Sequence, residues 1–152
     1  MVPQDLHSHT AYSVCDSAIV KEQTPELIYN IRHAQVIGIS DHFEYLLDSN
    51  IFETYEKELR RYGFYVGAEI SGFSLVNEAI KTSCDYFVYH CSMEKDYKAV
   101  ELLINTKKPV IIAHPLILGT DLNRIPGQCY IEINNRYIWQ SNWRQKLSHY
   151  VN

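Results

Sequence analysis

Histidines follow short apolar runs at several places in this 152-residue chain. His7 and His9 come first, one residue apart, and in an extended strand residues i and i+2 point to the same face. His42, His90 and His114 each follow a later apolar run. A lone histidine in such a place is more often structural, but five histidines at equivalent positions favour one shared metal site.

Glu69 lies near the end of another apolar run, where a carboxylate needs a partner if it is buried. Imidazoles together with carboxylates suit zinc, manganese or iron, and a carboxylate can bridge two cations. Glu69 is the candidate bridge. The alternative is a buried acid paired with Lys or Arg, although no basic residue lies nearby in the sequence.

Two aspartates lie beside the histidines. Asp16 follows His9 and is either a further metal ligand or a solvated acid in a turn. Asp41 precedes His42 and would contact a metal-binding histidine, not the metal, where it could orient the imidazole or accept a proton from it. Its alternative role is to cap the turn that follows.

The elements that must position these residues alternate between strands and helices. Apolar runs predict strands at residues 4–8, 36–39, 64–70, 85–89, 110–113 and 129–133. Helices are predicted at 25–33, 51–62, 74–82, 97–106 and 139–150, and loops at 10–23 and 115–127. This alternation predicts an α/β fold with parallel strands, whose carboxyl ends carry the chemistry.

Composition excludes several classes of protein. The net charge of -4 and the absence of a basic block argue against nucleic acid as a general partner. The four cysteines are widely scattered, which argues against a zinc ribbon or a disulfide framework and predicts reduced thiols. No apolar run approaches a membrane span and no signal segment is apparent, so we expect a cytoplasmic protein with no membrane partner. The length fits one domain, residues 1–152.

Six motifs, taken in order, resemble the polymerase-and-histidinol-phosphatase (PHP) family of metallo-phosphoesterases. The motifs are Asp5-Leu6-His7-Ser8-His9-Thr10, Ile39-Ser40-Asp41-His42, Gly67-Ala68-Glu69, His90 after a strand, Ala113-His114-Pro115 and Glu132-Ile133-Asn134. The resemblance implies a distorted TIM-like barrel of seven strand-helix units that binds up to three metal ions. It also implies that His7 and His9 bind a first metal, His90 and His114 a second metal bridged to it by Glu69, and His42 and Asp16 a third.

The family closes its site with an Asp-x-His motif after a seventh strand, and nothing after the sixth predicted strand matches it here, because the only late histidine, His149, follows Leu147 and Ser148. We therefore expect an incomplete barrel of six strand-helix units that lacks one ligand of the first metal and one of the third. Either the chain is a piece of a longer protein or the last unit has been lost. An open barrel edge would invite homo-oligomers.

The resemblance implies a phosphoesterase that hydrolyses a small phosphorylated metabolite or nucleotide with two or three divalent cations (zinc, manganese or iron). A metal-activated hydroxide would attack phosphorus. Asn134 and Arg136 would bind the phosphate or the leaving group, although Arg136 could equally form a surface salt bridge. One alternative is a metal-binding module with a structural or regulatory role, and another is hydrolysis of an amide or lactone.

Overall fold

A computed structural model describes residues 3–13, 20–48, 50–134, 137 and 141–148. Within them, six parallel strands form one sheet whose spatial order follows the sequence. The strands are β1 (Gln4–Ser8), β2 (Val36–Ile39), β3 (Tyr65–Ile70), β4 (Tyr86–Tyr89), β5 (Val110–Ile112) and β6 (Tyr130–Ile131). The sheet curls into a half-barrel, which is compatible with part of a TIM-like barrel. All six predicted strands are present, and β6 is shorter than expected.

Helices connect the strands and cover the outer face of the sheet. They are α1 (Pro25–Ile31), α2 (Phe43–Asp48), α3 (Phe52–Arg61), α4 (Val76–Ala79), α5 (Glu94–Asn105), α6 (Pro115–Leu118) and α7 (Trp143–Lys146). Short 3-10 turns lie at Val20–Glu22, Phe73–Leu75 and Leu122–Arg124. None of the helices in the described part of the chain is long and apolar enough to cross a membrane.

Two of these helices were not predicted. The segment after His42 forms α2 because Phe43 and Leu46, spaced three residues apart, bury their side chains on one face of a helix. The predicted loop at 115–127 is also wrong at its start. There Pro115 begins α6 at the first helical position, and Gly119 ends it in the left-handed conformation that favours glycine.

Predicted helix bounds were wrong where local capping decided them. α5 begins at Glu94, three residues before the predicted start, because the Asp96 carboxylate accepts hydrogen bonds from the backbone amides of Ser92 (3.1 Å) and Met93 (2.8 Å). α1 ends at Ile31 because its C-cap residue, Arg32, adopts a left-handed conformation. The predicted helix at 139–150 is described only in part, and α7 lies within it.

The strands alternate their residues between the two faces of the sheet, as period two requires. On the outer face, Phe87 and Tyr89 of β4 and Ile112 of β5 pack into one core cluster with Val100 and Leu103 of α5. A second outer cluster packs β2 and the start of β3 against α1 and α3. Tyr86 and Val88 of β4 and Ile111 of β5 alternate with the outer residues and face the interior of the curl.

The interior of the curl contains a small apolar cluster beneath the carboxyl ends of the strands. Its members are Leu6, Tyr86, Val88, Ile111 and Ala113. The ring of Tyr86, on β4, lies over Gly67 of the adjacent β3, and its hydroxyl end reaches Gly38 of β2; a Cβ atom at either glycine would overlap the ring. The two glycines thus make room for the largest side chain of this cluster.

The cysteines in the described residues are free thiols, as predicted. Cys84, Cys91 and Cys129 are all buried on the outer, helix-covered face of the sheet. Cys15 lies outside the described residues. The three described cysteines therefore serve core packing and form no disulfide with one another.

Candidate metal centre

The carboxylate of Glu69 is the centre of the site. It lies on the inner face of β3 and is 1% exposed. Its Oε1 lies 3.0 Å from His7 Nε2 and 2.6 Å from His90 Nε2. Its Oε2 lies 3.0 Å from His9 Nε2 and 3.1 Å from His42 Nε2. The partners of this buried acid are therefore imidazoles, and no Lys or Arg among the described residues pairs with it.

An irregularity in β1 allows the first two histidines to reach the centre. Asp5 pairs with Ile37 and Ser8 pairs with Ile39, so β1 advances by three residues where β2 advances by two. An extra residue of this kind bends a strand and re-aims its side chains, often beside active sites. The Asp5 carboxylate accepts hydrogen bonds from the His7 backbone N–H (3.1 Å) and the Ser8 hydroxyl (2.9 Å), which fixes the irregularity. Leu6 can therefore pack in the interior while His7, the next residue, also points inward.

Asp41 holds the backbone that follows His9. The aspartate is fully buried, and its two oxygens accept hydrogen bonds from the backbone N–H and the hydroxyl of Thr10, each at 2.7 Å. Burial raises the pKa of Asp41, and the hydrogen bonds from Ser13 and Thr10 offset only part of that effect. Asp41 thus fixes the backbone beside His9, and its predicted role in orienting an imidazole stays a prediction.

His114 follows β5 with an unusual backbone. Its φ of 26° and ψ of 56° lie in the left-handed region, although it is not a glycine. A regular strand would send Ala113 and His114 to opposite faces, and Ala113 already packs in the interior. The left-handed turn brings the imidazole back to the inner face, where it joins Glu69 and His90.

Glu132, just after β6, belongs to the site and was not predicted as a site residue. Its Oε2 lies 3.1 Å from His114 Nδ1 and 3.2 Å from His7 Nδ1. Its Oε1 accepts a hydrogen bond from Asn134 Nδ2 at 2.9 Å. The signal in the sequence was the position of Glu132 near the end of an apolar run, which matches that of Glu69.

Among the described residues, three sets of side chains have ligand atoms within 4.8 Å of one another and could hold a metal ion. The sets are His7, His9 and Glu69; Glu69, His90 and His114; and His7, His114 and Glu132. The first two share Glu69, so one carboxylate lies between two candidate cation positions. Imidazole nitrogens with carboxylate oxygens form a donor set that zinc, manganese and iron accept.

The electrostatics of the site favour cation binding. Burial by itself raises the pKa of Glu69, but hydrogen bonds from His7, His9 and His90 outweigh it and hold the pKa far below its usual range. Burial likewise raises the pKa of Glu132, while contacts with His114 and His7 lower it below its ordinary value. Both carboxylates are therefore ionised at neutral pH, and the ionised form is the one that binds a metal.

The remaining predicted site residues differ in their placement. His42 reaches Glu69, and behind it Glu44 Oε1 lies 3.6 Å from His42 Nδ1 and accepts a hydrogen bond from the Ser71 hydroxyl at 2.8 Å. Asn134 donates to Glu132, and its role in substrate binding stays a prediction. Asp16 and Arg136 lie outside the described residues.

Comparisons of the chain with protein-family models, with curated proteins and with solved structures found no significant match. The description of the site as a candidate metal centre therefore depends on its own geometry. The resemblance to the PHP family stays a hypothesis carried by the six sequence motifs.

Proposed function

We propose that this protein is a metal-dependent phosphoesterase that acts on a small phosphorylated metabolite or nucleotide. The observation that carries the proposal is the buried Glu69 carboxylate, which is shared by two sets of histidines. The resemblance of the motif order to the PHP metallo-phosphoesterases supports the choice of phosphate esters as substrates. The positions of the histidines and Glu69 support the binding of cations, and the sequence motifs support phosphate-ester hydrolysis as the reaction.

Two cations fit the donor set around Glu69. His7 and His9 would hold one cation with Glu69, and His90 and His114 would hold the other. When bound, divalent cations supply Lewis-acid chemistry, because they lower the pKa of water and neutralise charge on a phosphoryl group. His42, 3.1 Å from Glu69 Oε2, is the candidate ligand of a third cation.

The site is open to solvent on the side where His90 and His114 lie, and a substrate would enter from there. The Glu69 side chain is 2% exposed, whereas those of His90 and His114 are 21% and 19% exposed. The imidazoles thus separate the buried carboxylate from solvent at the carboxyl end of the sheet. This end is where barrels of parallel strands carry their active sites, so a phosphate ester would approach from the histidine side.

The described cysteines are poor candidates for covalent catalysis. Cys91 and Cys129 lie on the outer face of the sheet, and burial raises their pKa to about 12 and about 11. A thiol with so high a pKa is hardly ever a thiolate at neutral pH, and the thiolate is the nucleophile. This supports direct attack by water over a phosphocysteine intermediate.

The test is phosphate release by purified protein that has been stripped with a chelator and reloaded with manganese, zinc or iron. We expect metal-dependent hydrolysis of p-nitrophenyl phosphate and of at least one substrate in a panel of sugar phosphates and nucleotides. Glu69→Gln should reduce the rate of hydrolysis by more than about 100-fold, which exceeds the loss expected when a residue that only hydrogen-bonds to a metal ligand is removed. Glu78→Gln is the matched control, because Glu78 lies in an exposed ion pair with Lys81 (2.7 Å).

Two results would contradict the proposal. Stoichiometric metal without turnover of any phosphate ester would favour a metal-binding module with a structural or regulatory role. Turnover confined to lactones or cyclic amides in a parallel panel would show that the centre hydrolyses a different bond.

A further inference from the structure

The contacts of Glu132 use both of its oxygens. Oε2 accepts a hydrogen bond from the backbone N–H of His114 at 2.5 Å and faces Nδ1 of the same residue at 3.1 Å. It also faces Nδ1 of His7 at 3.2 Å. Oε1 is held by the amide of Asn134 at 2.9 Å. One carboxylate thus contacts two histidines that belong to different candidate cation positions.

The backbone contact coincides with strain at His114. A non-glycine residue with positive φ is uncommon, and a following proline, here Pro115, further restricts the residue before it. Such a conformation persists only where the surroundings hold it. The hydrogen bond from the His114 amide to Glu132 is a contact able to do so, and it fixes the turn that directs the imidazole inward.

The contact with His7 spans the opening of the curled sheet. His7 belongs to β1 and Glu132 follows β6, the two edge strands of the sheet. Every other strand lies between them in the pairing order. The His7–Glu132 contact therefore ties the two edges together at the end where the site lies.

We infer that Glu132 is a positioning residue that holds His7 and His114 through their Nδ1 atoms, so that both imidazoles present Nε2 to the cations. In His7, Nδ1 lies 3.2 Å from Glu132 Oε2, and Nε2 lies 3.0 Å from Glu69 Oε1 on the side of the candidate cations. A metal-ligating histidine commonly donates its second ring N–H to a carboxylate, which fixes the tautomer and the ring orientation. The inference rests on the metal centre of the proposed function and adds that one acid orients ligands of both cations.

The first test compares zinc affinity between variants of the stripped full chain by competition with a chromophoric chelator. Glu132→Gln keeps the size of the side chain but replaces one acceptor oxygen by an amide NH₂, which would face the N–H groups of His114 or Asn134. We expect its zinc affinity to fall by about 10- to 100-fold, the range for loss of such a partner. Asp85→Asn is the control, because Asp85 lies before β4 at the far end of the sheet, where it accepts a hydrogen bond from the Val66 backbone N–H at 2.8 Å. Its zinc affinity should stay at the wild-type value.

The second test needs no variant of Glu132 and therefore remains decisive if Glu132→Gln fails to fold. Long-range ¹H–¹⁵N correlation spectra of the zinc-loaded wild-type protein report which ring nitrogen of each histidine carries a proton. We expect His7 and His114 to carry the proton on Nδ1 and to bind zinc through Nε2, with their signals identified by loss in His7→Asn and His114→Asn.

The outcomes separate this inference from the proposed function. Zinc bound by wild type and equally well by folded Glu132→Gln would overturn the inference and leave the metal centre intact. Zinc on Nδ1 of His7 and His114 would also overturn it, because Glu132 would then be a direct ligand beside them. Failure of the wild-type protein to bind zinc, manganese or iron at all would remove the metal centre and the inference with it.

Discussion

Replacing Gly67 by alanine should destabilise the protein through a clash inside the half-barrel. A Cβ atom at Gly67 would overlap Cζ of Tyr86 and lie 2.6 Å from Cε2 and 2.7 Å from the hydroxyl oxygen. The ring cannot move easily, because Tyr86 is 3% exposed and also lies against Gly38. Extra volume in a close-packed interior costs about 1–3 kcal/mol, and the number of short contacts places this substitution near about 3 kcal/mol.

The assay is urea unfolding followed by circular dichroism. With a denaturant dependence of about 1–3 kcal/mol/M, a loss of about 3 kcal/mol lowers the unfolding midpoint by at least about 1 M. Gly127→Ala is the matched control, because a Cβ there meets nothing within 4 Å. It should leave the midpoint unchanged or raise it slightly, since alanine reduces the entropy of the unfolded chain.

A double-mutant cycle with Tyr86→Leu identifies the cause. Tyr86→Leu removes the aromatic ring and is itself destabilising, because it leaves a cavity. In that background the Gly67→Ala methyl enters vacated space, so the two losses should be less than additive by about 1–3 kcal/mol. If Gly67→Ala costs the same with and without the ring, or no more than Gly127→Ala, the clash with Tyr86 is not the reason.

Three further predictions concern the site and the core. Asp41→Asn should lower the free energy of unfolding by about 1–3 kcal/mol, because it removes a buried carboxylate that accepts two hydrogen bonds from Thr10. Urea unfolding measures this loss, and a change below about 0.5 kcal/mol would contradict the prediction. Cys91 and Cys129 should resist iodoacetamide at pH 8 in the folded protein and react after unfolding, because burial raises their pKa to about 12 and about 11. Peptide mass spectrometry measures the labelling of each cysteine, and equal labelling in the folded and unfolded states would refute the prediction. Burial lowers the pKa of His7, but hydrogen bonds with the acids of the site outweigh it and raise the pKa from 6.5 to about 10. The protonated imidazole thus stabilises the metal-free protein fully below pH 6.5, and this stabilisation is lost as the pH rises through about 10. Thermal melting in chelator should show a falling midpoint over that range, and a flat or rising midpoint would contradict the prediction.

Local pattern in the sequence was sufficient for the order of elements and for part of the site. The apolar runs predicted all six strands because buried strands of a parallel sheet must be apolar on both faces. Within β3 and the segment that continues β4, period two places Glu69 and His90 on the inner face. The carboxyl ends of parallel strands meet at one edge of a sheet, so the convergence of the histidines could also be expected.

The tertiary structure decided how His7 and His114 reach that convergence and which acid holds them. The irregularity of β1 turns His7 inward, and a left-handed residue at His114 does the same after β5. The turn at His114 is held by Glu132, 18 residues away in the sequence, so it depends on the assembled fold. The irregularity of β1 is held locally by Asp5, but it exists only relative to the pairing with β2, which the sequence does not show. Glu132 meets His7 only because the sheet curls far enough to bring its two edges together. Sequence alone therefore determined which residue types stand at the strand ends. Folding determined their partners, because contacts between distant segments follow from the curvature of the sheet and not from spacing along the chain.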